Sequence, residues 1–533
     1  MNILSFNPSH DGAVACVKDG RLLFSIEAEK DSNYRYSRIG RQDILNALWK
    51  MDEAPDVICI GGWWPHENTA ILEPVYTGYR GIETTSLIVQ DKNFLGRPTH
   101  FFSSSHERSH LLCAFGMSGL PKGTPCYVLL YEGEFGSFYE IDENFNIIHL
   151  GEVMNEPGHR YASLYDLADP TFPKNAPFSR LSDAGKLMAL ASYSKREKLL
   201  PDELELLDFL MSTKHLRLGD NEDVKHLKYY NVGFDNQDFR DFAGIFSHRV
   251  FEAFYAYAEK HLRKGFPLVI GGGCGLNCDW NSKWAASGLF PKVLVSPVTN
   301  DSGSAIGTAL DAQLFFTGDP TMMWNVYSGE EFNLTEPFNV DDFDVYEADY
   351  ERVADMLAND LIFGWINGRY EIGPRALGNR SILAAPFKAS TRVRLNNMKQ
   401  REQYRPIAPV CLEADAAEWF GCTAPSPYML FTFTARTERL AAVTHVNGSA
   451  RLQTVSEDSN PPLFNLLMEF KQRTGYGVLC NTSLNFKGRG FINSIDDLAL
   501  YTSEHDLDGF VVDGKMFMKK KSELYKHYLR KNV

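Results

Sequence analysis

Three runs of alternating apolar and polar positions open the chain: residues 2–7 (NILSFN), 13–18 (AVACVK) and 21–29 (RLLFSIEAE). A polar Ser-His-Asp-Gly turn separates the first two. Asp19-Gly20 separates the last two, a pair that suits tight hairpin turns because it tolerates left-handed backbone. Unbroken apolar runs at 56–61 (DVICIG) and 126–131 (CYVLLY) predict buried strands. Residues 242–263 repeat apolar positions at helical spacing and stop before Gly265 and Pro267. A strand (PLVIGGG) and a helix near 278–287 follow, then a strand (KVLVSPV), the loop TNDSG and a helix near 304–316. Two successive strand–loop–helix passages predict α/β architecture. Residues 317–350, with a Gly-Asp-Pro turn and acidic loops, read as a boundary, after which a second α/β or α+β unit runs to the end. No internal repeat or low-complexity tract is visible. The basic stretch 515–531 reads as a solvated terminal helix.

Composition narrows the class. A length of 533 residues predicts two or more domains, and 44% hydrophobic with 23% charged residues is ordinary for soluble globular chains. The net charge of −14 argues against bulk nucleic-acid binding and against a polybasic membrane surface. The first residues lack a basic segment followed by an apolar one, and no apolar run is long enough to span a bilayer, so a cytoplasmic location is expected. Nine scattered cysteines, an odd count without a CxxC pair, read as free thiols in a reducing compartment.

Candidate chemistry gathers in a few places. His106 and His110 in SSSHERSH lie one helical turn apart, so both imidazoles can reach one cation, and Asp301 in a distant strand-to-helix loop could complete the site. Glu132, after the strand CYVLLY, is a candidate fourth ligand. A core or capping histidine pair, a helix-capping Asp301 and an exposed Glu132 are the plainer alternatives. His10, in the first turn, could serve as a general base or be a surface histidine of a hairpin. The segment GGGCGLN permits close backbone approach to an anion at a helix start, but matches neither the GxxxxGK[ST] nor the GxGxxG phosphate-binding pattern. Arg369, Arg375, Arg380, Lys399, Arg401 and Arg405 form a basic set beside glycines in an acidic chain, which suits a phosphorylated ligand. LCNTSLN ends a strand with amides and hydroxyls fit to bond a carbonyl or amide. Ser390-Thr391-Arg392 resembles the carbamoyl-phosphate motif of aspartate and ornithine transcarbamoylases, but the rest of that pattern is missing.

Taken in order, the blocks HDGAVACVKDGRLLFSIEAEK, SSSHERSH, DAGKLMALA, GGGCGLNCDWN, TNDSGSAIGTA, WINGRYEIGPRALGNRSILA, KQREQYRPIAPV and VLCNTSLNF resemble the nodulation protein U / O-carbamoyltransferase family almost end to end. SHERSH, GGCGLNCDWN and LCNTSLNFKG are most similar in form to the 3-hydroxymethylcephem carbamoyltransferases of cephamycin biosynthesis. The resemblance implies an actin-like ATPase (ASKHA) domain over 1–345, shared with tRNA threonylcarbamoyl transferases, and a YrdC-like domain over 346–533. The second domain would convert carbamoyl phosphate and ATP, with Mg2+, into carbamoyladenylate. The first would pass the carbamoyl group to a hydroxyl of a small metabolite with the help of an iron-type divalent metal, zinc or manganese being alternatives.

On this resemblance His106, His110 and Asp301 are metal ligands, with Glu132 where the family has Asp, and His10 assists transfer. Arg35, where the family has a lysine, together with Lys186, Gly272, Gly273, Gly275 and Asn277, would border the nucleotide. Arg375, Arg380, Lys399, Arg401 and Arg405 would hold carbamoyl phosphate and ATP, with Asn481 and Ser483 near the carbamoyl group. No nucleic-acid or membrane partner is implied, and a homo-oligomer is left open. The expected acceptor is a 3-hydroxymethylcephem, then a sugar or polyketide hydroxyl. The alternatives are a threonylcarbamoyl-type tRNA modifier and a non-catalytic nucleotide-binding protein.

Overall fold

The computed structural model describes residues 1–32, 34–64, 77–173, 176, 179–212 and 224–532. The chain divides into two compact units, residues 1–117 with 301–533, and residues 118–300.

The alternating start folds as predicted. In the first unit β1 (Asn2–Asn7), β2 (Ala13–Lys18) and β3 (Arg21–Glu27) form an antiparallel meander. β4 (Val57–Gly61) then pairs parallel to β1, while β5 (Ile88–Phe94) and β6 (Arg97–Ser104) complete the order β3-β2-β1-β4-β6-β5. In the second unit β7 (Cys126–Tyr131), β8 (Phe135–Ile141) and β9 (Ile147–Asn155) form another meander. β10 (Leu268–Gly271) and β11 (Val293–Val295) add on parallel to β7, giving β11-β10-β7-β8-β9. Both sheets therefore place three antiparallel strands beside two parallel ones in the same order. The same strand connectivity thus occurs twice. It is a repeat of connectivity with no counterpart in residue identity, which is why the sequence shows none.

The carboxy-terminal half of the first unit builds an eight-stranded mixed sheet. It comprises β12 (Phe343–Glu347), β13 (Phe363–Ile366), β14 (Arg380–Ala384), β15 (Ala408–Leu412), β18 (Gln453–Val455), β19 (Val478–Ser483), β20 (Gly509–Val512) and β21 (Lys515–Lys519), while β16 (Thr432–Thr434) and β17 (Ser449–Arg451) form a separate ribbon. Side chains alternate between two cores as the two-residue period demands. Ile382, Cys480 and Phe510 enter one, whereas Leu383, Leu479 and Val511 enter the other. Helices cover both faces, so these strands read as continuous apolar runs.

Two sequence expectations change. The long helix spans Gln237–His261, starting earlier than its apolar stripe because Asn236 caps it, its side chain accepting from the Phe239 N–H at 3.0 Å. The stretch 515–531 is not one helix. Lys515–Lys519 (KMFMK) is a strand between β12 and β20 that buries Met516, Phe517 and Met518, and only Glu523–Asn532 is helical. No helix among the described residues is long and apolar enough to cross a membrane.

Residues 27–30 are built into the carboxy-terminal half. Lys30, wholly buried, pairs with Glu27 at 2.9 Å and donates to the carbonyls of Glu371 (2.6 Å) and Gly373 (2.9 Å). Glu27 in turn accepts from the Gly373 N–H at 2.6 Å. The charges that the amino-terminal meander buries thus fix the loop carrying Arg375.

Candidate functional site

The helix His106–Gly116 begins with the predicted histidine. Ser105 caps it, accepting from the Arg108 N–H at 3.1 Å. The helix docks sideways on Gly303–Thr317: the Arg108 guanidinium grips the Asp311 carboxylate with two bonds, at 2.8 and 2.5 Å, and the Ser109 hydroxyl meets that of Thr308 at 2.7 Å. This docking sets the distance between the histidine helix and the loop before Gly303.

Asp301 lies in that loop and faces three imidazoles. Its Oδ1 is 3.3 Å from His110 Nε2 and 3.7 Å from His106 Nε2, while Oδ2 is 3.2 Å from His10 Nε2. The Nε2 atoms of His106 and His110 are 3.0 Å apart. His106, His110 and Asp301 are all buried, whereas the His10 side chain is 35% exposed. Asn7 ties the first turn to this point, its side-chain N–H groups donating to the carbonyls of Asp301 (2.8 Å) and Asp11 (3.3 Å). The helix-capping alternative for Asp301 is set aside: Ser302 is the first flanking residue, and the Asp301 carboxylate points at the histidines. Burial alone would raise the Asp301 pKa, but the imidazoles of His10, His106 and His110 outweigh it and hold the carboxylate below its usual range.

Converging imidazole nitrogens and a carboxylate in a dry setting fit a divalent cation. Ligand atoms of His106, His110 and Asp301 lie within 4.8 Å of one another, and each side chain is otherwise costly to bury. A ring stack that sequence reasoning missed surrounds them. Tyr79 stacks on His106 at 4.5 Å, and Trp63 meets His10 and His106 edge-on at 5.3 and 4.9 Å. The Trp-Trp doublet after the strand DVICIG was the available signal.

A second cluster lies in the carboxy-terminal half. Lys399 and Arg401 are both held well below the usual range for their side chains, first by burial and then by neighbouring cations: Arg401 and Arg405 for Lys399, Arg405 and Arg451 for Arg401. Four cations share this place with Glu402 alongside, an arrangement that calls for an anion. Arg451, on β17, was not singled out from sequence because it is isolated there. Asn481 donates to the Ala376 carbonyl (3.1 Å) and to Gln453 (2.8 Å), and its buried Oδ1 accepts no hydrogen bond among the described residues. The Ser483 hydroxyl donates to Asn485 at 2.6 Å.

Three members of the predicted basic set serve the scaffold. Arg380 is completely buried, with its guanidinium spent on Asn493 (2.7 and 3.0 Å) and on the carbonyls of Asn367, Asn379 and Glu330. It offers no donor fork to a ligand. Burial pulls it down to about 10. Lys399 spends its ammonium on the carbonyls of Ser483 (2.6 Å) and Asn485 (2.8 Å) and on the Asn485 side chain, so it shapes the loop and contributes charge. Arg369 likewise bonds the carbonyls of Gly329, Ser328 and Leu23. Arg375 and Arg405 are half-buried. Ser390 to Arg392 lie in the helix Ala389–Met398, where Arg392 bonds the Thr444 carbonyl.

Arg35 is exposed in the first unit, over the Tyr36 ring. In the unit 118–300, Gly272 takes φ 82°, and a side chain there would press within 2.4 Å of the Tyr131 carbonyl, so only glycine fits. Gly273 and Gly275 form one helical turn, Asn277 caps the helix Cys278–Ala286, and Asn281 holds the Gly275 carbonyl at 2.7 Å. Lys186 pairs with Asp183 at 2.8 Å. Glu132, in this unit, is 3% exposed at the end of β7, which excludes the surface alternative.

Comparison with known proteins extends the picture. The family model for the carbamoyltransferase N-terminus matches residues 2–310 and that for the carbamoyltransferase C-terminus matches 354–520. The chain is 45% identical over 515 residues to the 3'-hydroxymethylcephem-O-carbamoyltransferase of Amycolatopsis lactamdurans, covering 96% of this chain and 98% of that protein. Its counterpart in Streptomyces clavuligerus is 45% identical over 518 residues, with the same coverage. Nodulation protein U of Bradyrhizobium diazoefficiens is 32% identical over 546 residues, covering 92% and 93%. Among solved structures, an archaeal actin homolog in complex with ADP aligns at 11% identity and TM-score 0.29, over 59% of this chain and 99% of its own.

Proposed function

This chain belongs to the carbamoyltransferase family, and we propose that it is an ATP-dependent O-carbamoyltransferase that modifies the hydroxyl of a 3-hydroxymethylcephem. Two steps are assigned. In residues 346–533, carbamoyl phosphate, one water and Mg·ATP give carbamoyladenylate: the water releases phosphate and leaves a carbamate, whose oxygen attacks the α-phosphorus of ATP as pyrophosphate leaves. In residues 1–345 the acceptor hydroxyl attacks the carbamoyl carbon and AMP leaves.

The observation that supports the first step is the cluster of buried Lys399 with half-buried Arg401, Arg405 and Arg451. Four cations beside one carboxylate repel one another, and an anion bearing several phosphate oxygens relieves that repulsion. Arg375 is assigned to the same ligands. Asn481, with a buried acceptor oxygen, and the Ser483 hydroxyl suit a carbamoyl amide, which carries two N–H donors.

For the second step His10 is the group assigned to take the acceptor proton. It is reachable from solvent, and Asp301 stabilises the imidazolium that results. A divalent cation, iron for preference, held by His106, His110 and Asp301 would supply Lewis acidity at the carbamoyl carbonyl. Burying the transfer limits hydrolysis of a reactive carbamoyl donor. Lys186 and the loop Gly272–Asn277, where backbone meets a helix start, are assigned to the nucleotide. Arg35 is assigned to its phosphate.

The testing experiment measures pyrophosphate release from ATP with and without carbamoyl phosphate, in wild type and Arg375→Ala. Release that needs carbamoyl phosphate and fails in the variant is expected. Release independent of carbamoyl phosphate would sink the reading.

A further inference from the structure

Asn396 is wholly buried near the end of the helix Ala389–Met398, and both ends of its amide are spent on the cation-bearing segment that follows. Its main-chain carbonyl accepts from the Arg401 N–H at 3.0 Å and its Oδ1 from Arg401 Nε at 2.6 Å, while its Nδ2 donates to the Arg405 carbonyl at 3.0 Å. The amide has one orientation only. A guanidinium can only donate and a carbonyl can only accept, so Oδ1 faces Arg401 and Nδ2 faces Arg405. An asparagine that merely ended a helix would bond its own turn or the one beside it. These side-chain bonds reach five and nine residues onward.

The segment itself is pinned at successive carbonyls: those of Tyr404, Arg405 and Pro406 accept from His445 Nε2 (3.2 Å), Asn396 (3.0 Å) and Arg401 Nη2 (3.2 Å). Gln400 turns the chain from the helix into this segment with φ 47°, a left-handed conformation that costs energy in a residue bearing a side chain. The bonds from Asn396 to Arg401 sustain it. A guanidinium carries five N–H donors in a fixed fork. In Arg401 the side edge, Nε and one Nη2 hydrogen, is taken by Asn396 and Pro406. The end of the fork, the Nη1 pair and the other Nη2 hydrogen, makes no hydrogen bond among the described residues, and Arg401 is half-buried rather than sealed in. Such an end can grip two oxygens of one phosphate.

We propose that Asn396 is the positioning residue of the anion site: by tying the side edge of Arg401 to the main chain of Arg405, it presents the end of the Arg401 guanidinium, beside Arg405, to a phosphate group. This assignment rests on the carbamoyl-transfer reading and deepens it. The residue type follows from the task. Aspartate would offset the charge of Arg401 and set an oxygen against the Arg405 carbonyl. An apolar side chain would release Nε, and a guanidinium free to turn must be ordered again each time a ligand binds.

The test is calorimetric titration of inorganic pyrophosphate into the full chain as wild type, Asn396→Leu, Arg401→Met and the double variant. Asn396→Leu should weaken pyrophosphate about tenfold. In the Arg401→Met background the same change should cost less than about twofold, because the group it acts through is gone. Circular dichroism checks the fold, and Asn396→Ala taken through the same cycle decides the matter if the leucine variant does not fold. In the pyrophosphate-release assay Asn396→Leu should raise KM for carbamoyl phosphate and keep kcat within about twofold. Equal losses of affinity in both backgrounds overturn the proposal, as do an unchanged affinity in Asn396→Leu and a loss confined to kcat. A wild type that shows carbamoyl-phosphate-dependent release together with equal losses keeps the carbamoyl-transfer reading and removes Asn396 from it. A wild type that binds no pyrophosphate removes the anion site itself.

Discussion

His10 Nε2 lies 3.2 Å from Asp301 Oδ2, across 291 positions of sequence, while the other oxygen of that carboxylate faces His110. One carboxylate thus serves the exposed imidazole with one oxygen and the buried pair with the other. If His10 takes the acceptor proton, His10→Gln keeps the shape and removes the base. Acceptor carbamoylation in that variant should fall by about 10²- to 10⁴-fold in kcat, the usual contribution of a positioned base. Product formation followed by chromatography checks it. A kcat within twofold of wild type would remove His10 from the step.

The same carboxylate makes the metal assignment testable without activity. Asp301→Asn keeps the volume but removes the charge that balances a dication between two neutral imidazoles. Metal content by plasma emission should drop from one per chain toward none. Adding iron or zinc at about 100 times the dissociation constant should stabilise wild type by about 2.7 kcal/mol and the variant by far less. Equal metal content in both proteins would remove Asp301 from the ligand set.

The cation cluster predicts stabilisation by anions. Arg401 is strained by burial and by Arg405 and Arg451, so inorganic pyrophosphate should raise the melting temperature of wild type. Arg401→Met removes a half-buried charge and the phosphate contact assigned to it, together with its bonds to Asn396 and the Pro406 carbonyl. Whatever its own melting temperature, its shift with pyrophosphate should shrink to a small fraction of the wild-type shift. A full-sized shift in the variant would place the anion elsewhere.

How much of this was legible in the chain depends on the range of each interaction. The amino-terminal hairpins were readable because their period and turn residues are local. His106 and His110 were readable because helical spacing puts them on one face. That Asp301 meets them was a matter of chemistry and resemblance, since the docking of Arg108 on Asp311 that brings the helices together spans 203 positions. Arg380 and Arg401 look alike in sequence, yet one is saturated by Asn493 and backbone carbonyls and the other is crowded by cations. Only tertiary packing separates them. The strand Lys515–Lys519 was missed because lysines at its ends hid the buried Met-Phe-Met between them. Trp64 was passed over because the Trp-Trp doublet, visible in the sequence, does not by itself tell a stacked indole from a core one.

Lys30 and Glu27 give a prediction about folding. Both are buried, and Lys30 donates to the Glu371 and Gly373 carbonyls that shape the loop before Arg375. Removing one member leaves an unpaired buried charge, so Lys30→Ala should cost about 3–5 kcal/mol in denaturant unfolding. The double change Lys30→Met with Glu27→Gln should recover part of that loss. If both variants unfold alike, the cost comes from packing and not from the stranded carboxylate.

Asp166 and Asp183 set a pH dependence of opposite sign to that of ordinary carboxylates. Burial and then the hydrogen bond with Asp183 push Asp166 up to about 8, while Asp183 is held below its usual range by its bonds to Asp166 and Lys186 despite burial. Above the lowered Asp183 range the folded pair therefore keeps one proton up to about pH 8, whereas an unfolded aspartate releases its proton near 3.9. Between those values the native state binds more protons than the unfolded one, so this pair makes stability fall as pH rises toward 8. Below about pH 4 the unfolded chain gains both protons and the sign reverses. Asp166→Asn fixes the hydrogen bond without a titrating proton. Urea midpoints from pH 5 to 8 should decline less steeply in that variant than in wild type. Parallel declines would mean that the two carboxyls do not share a proton.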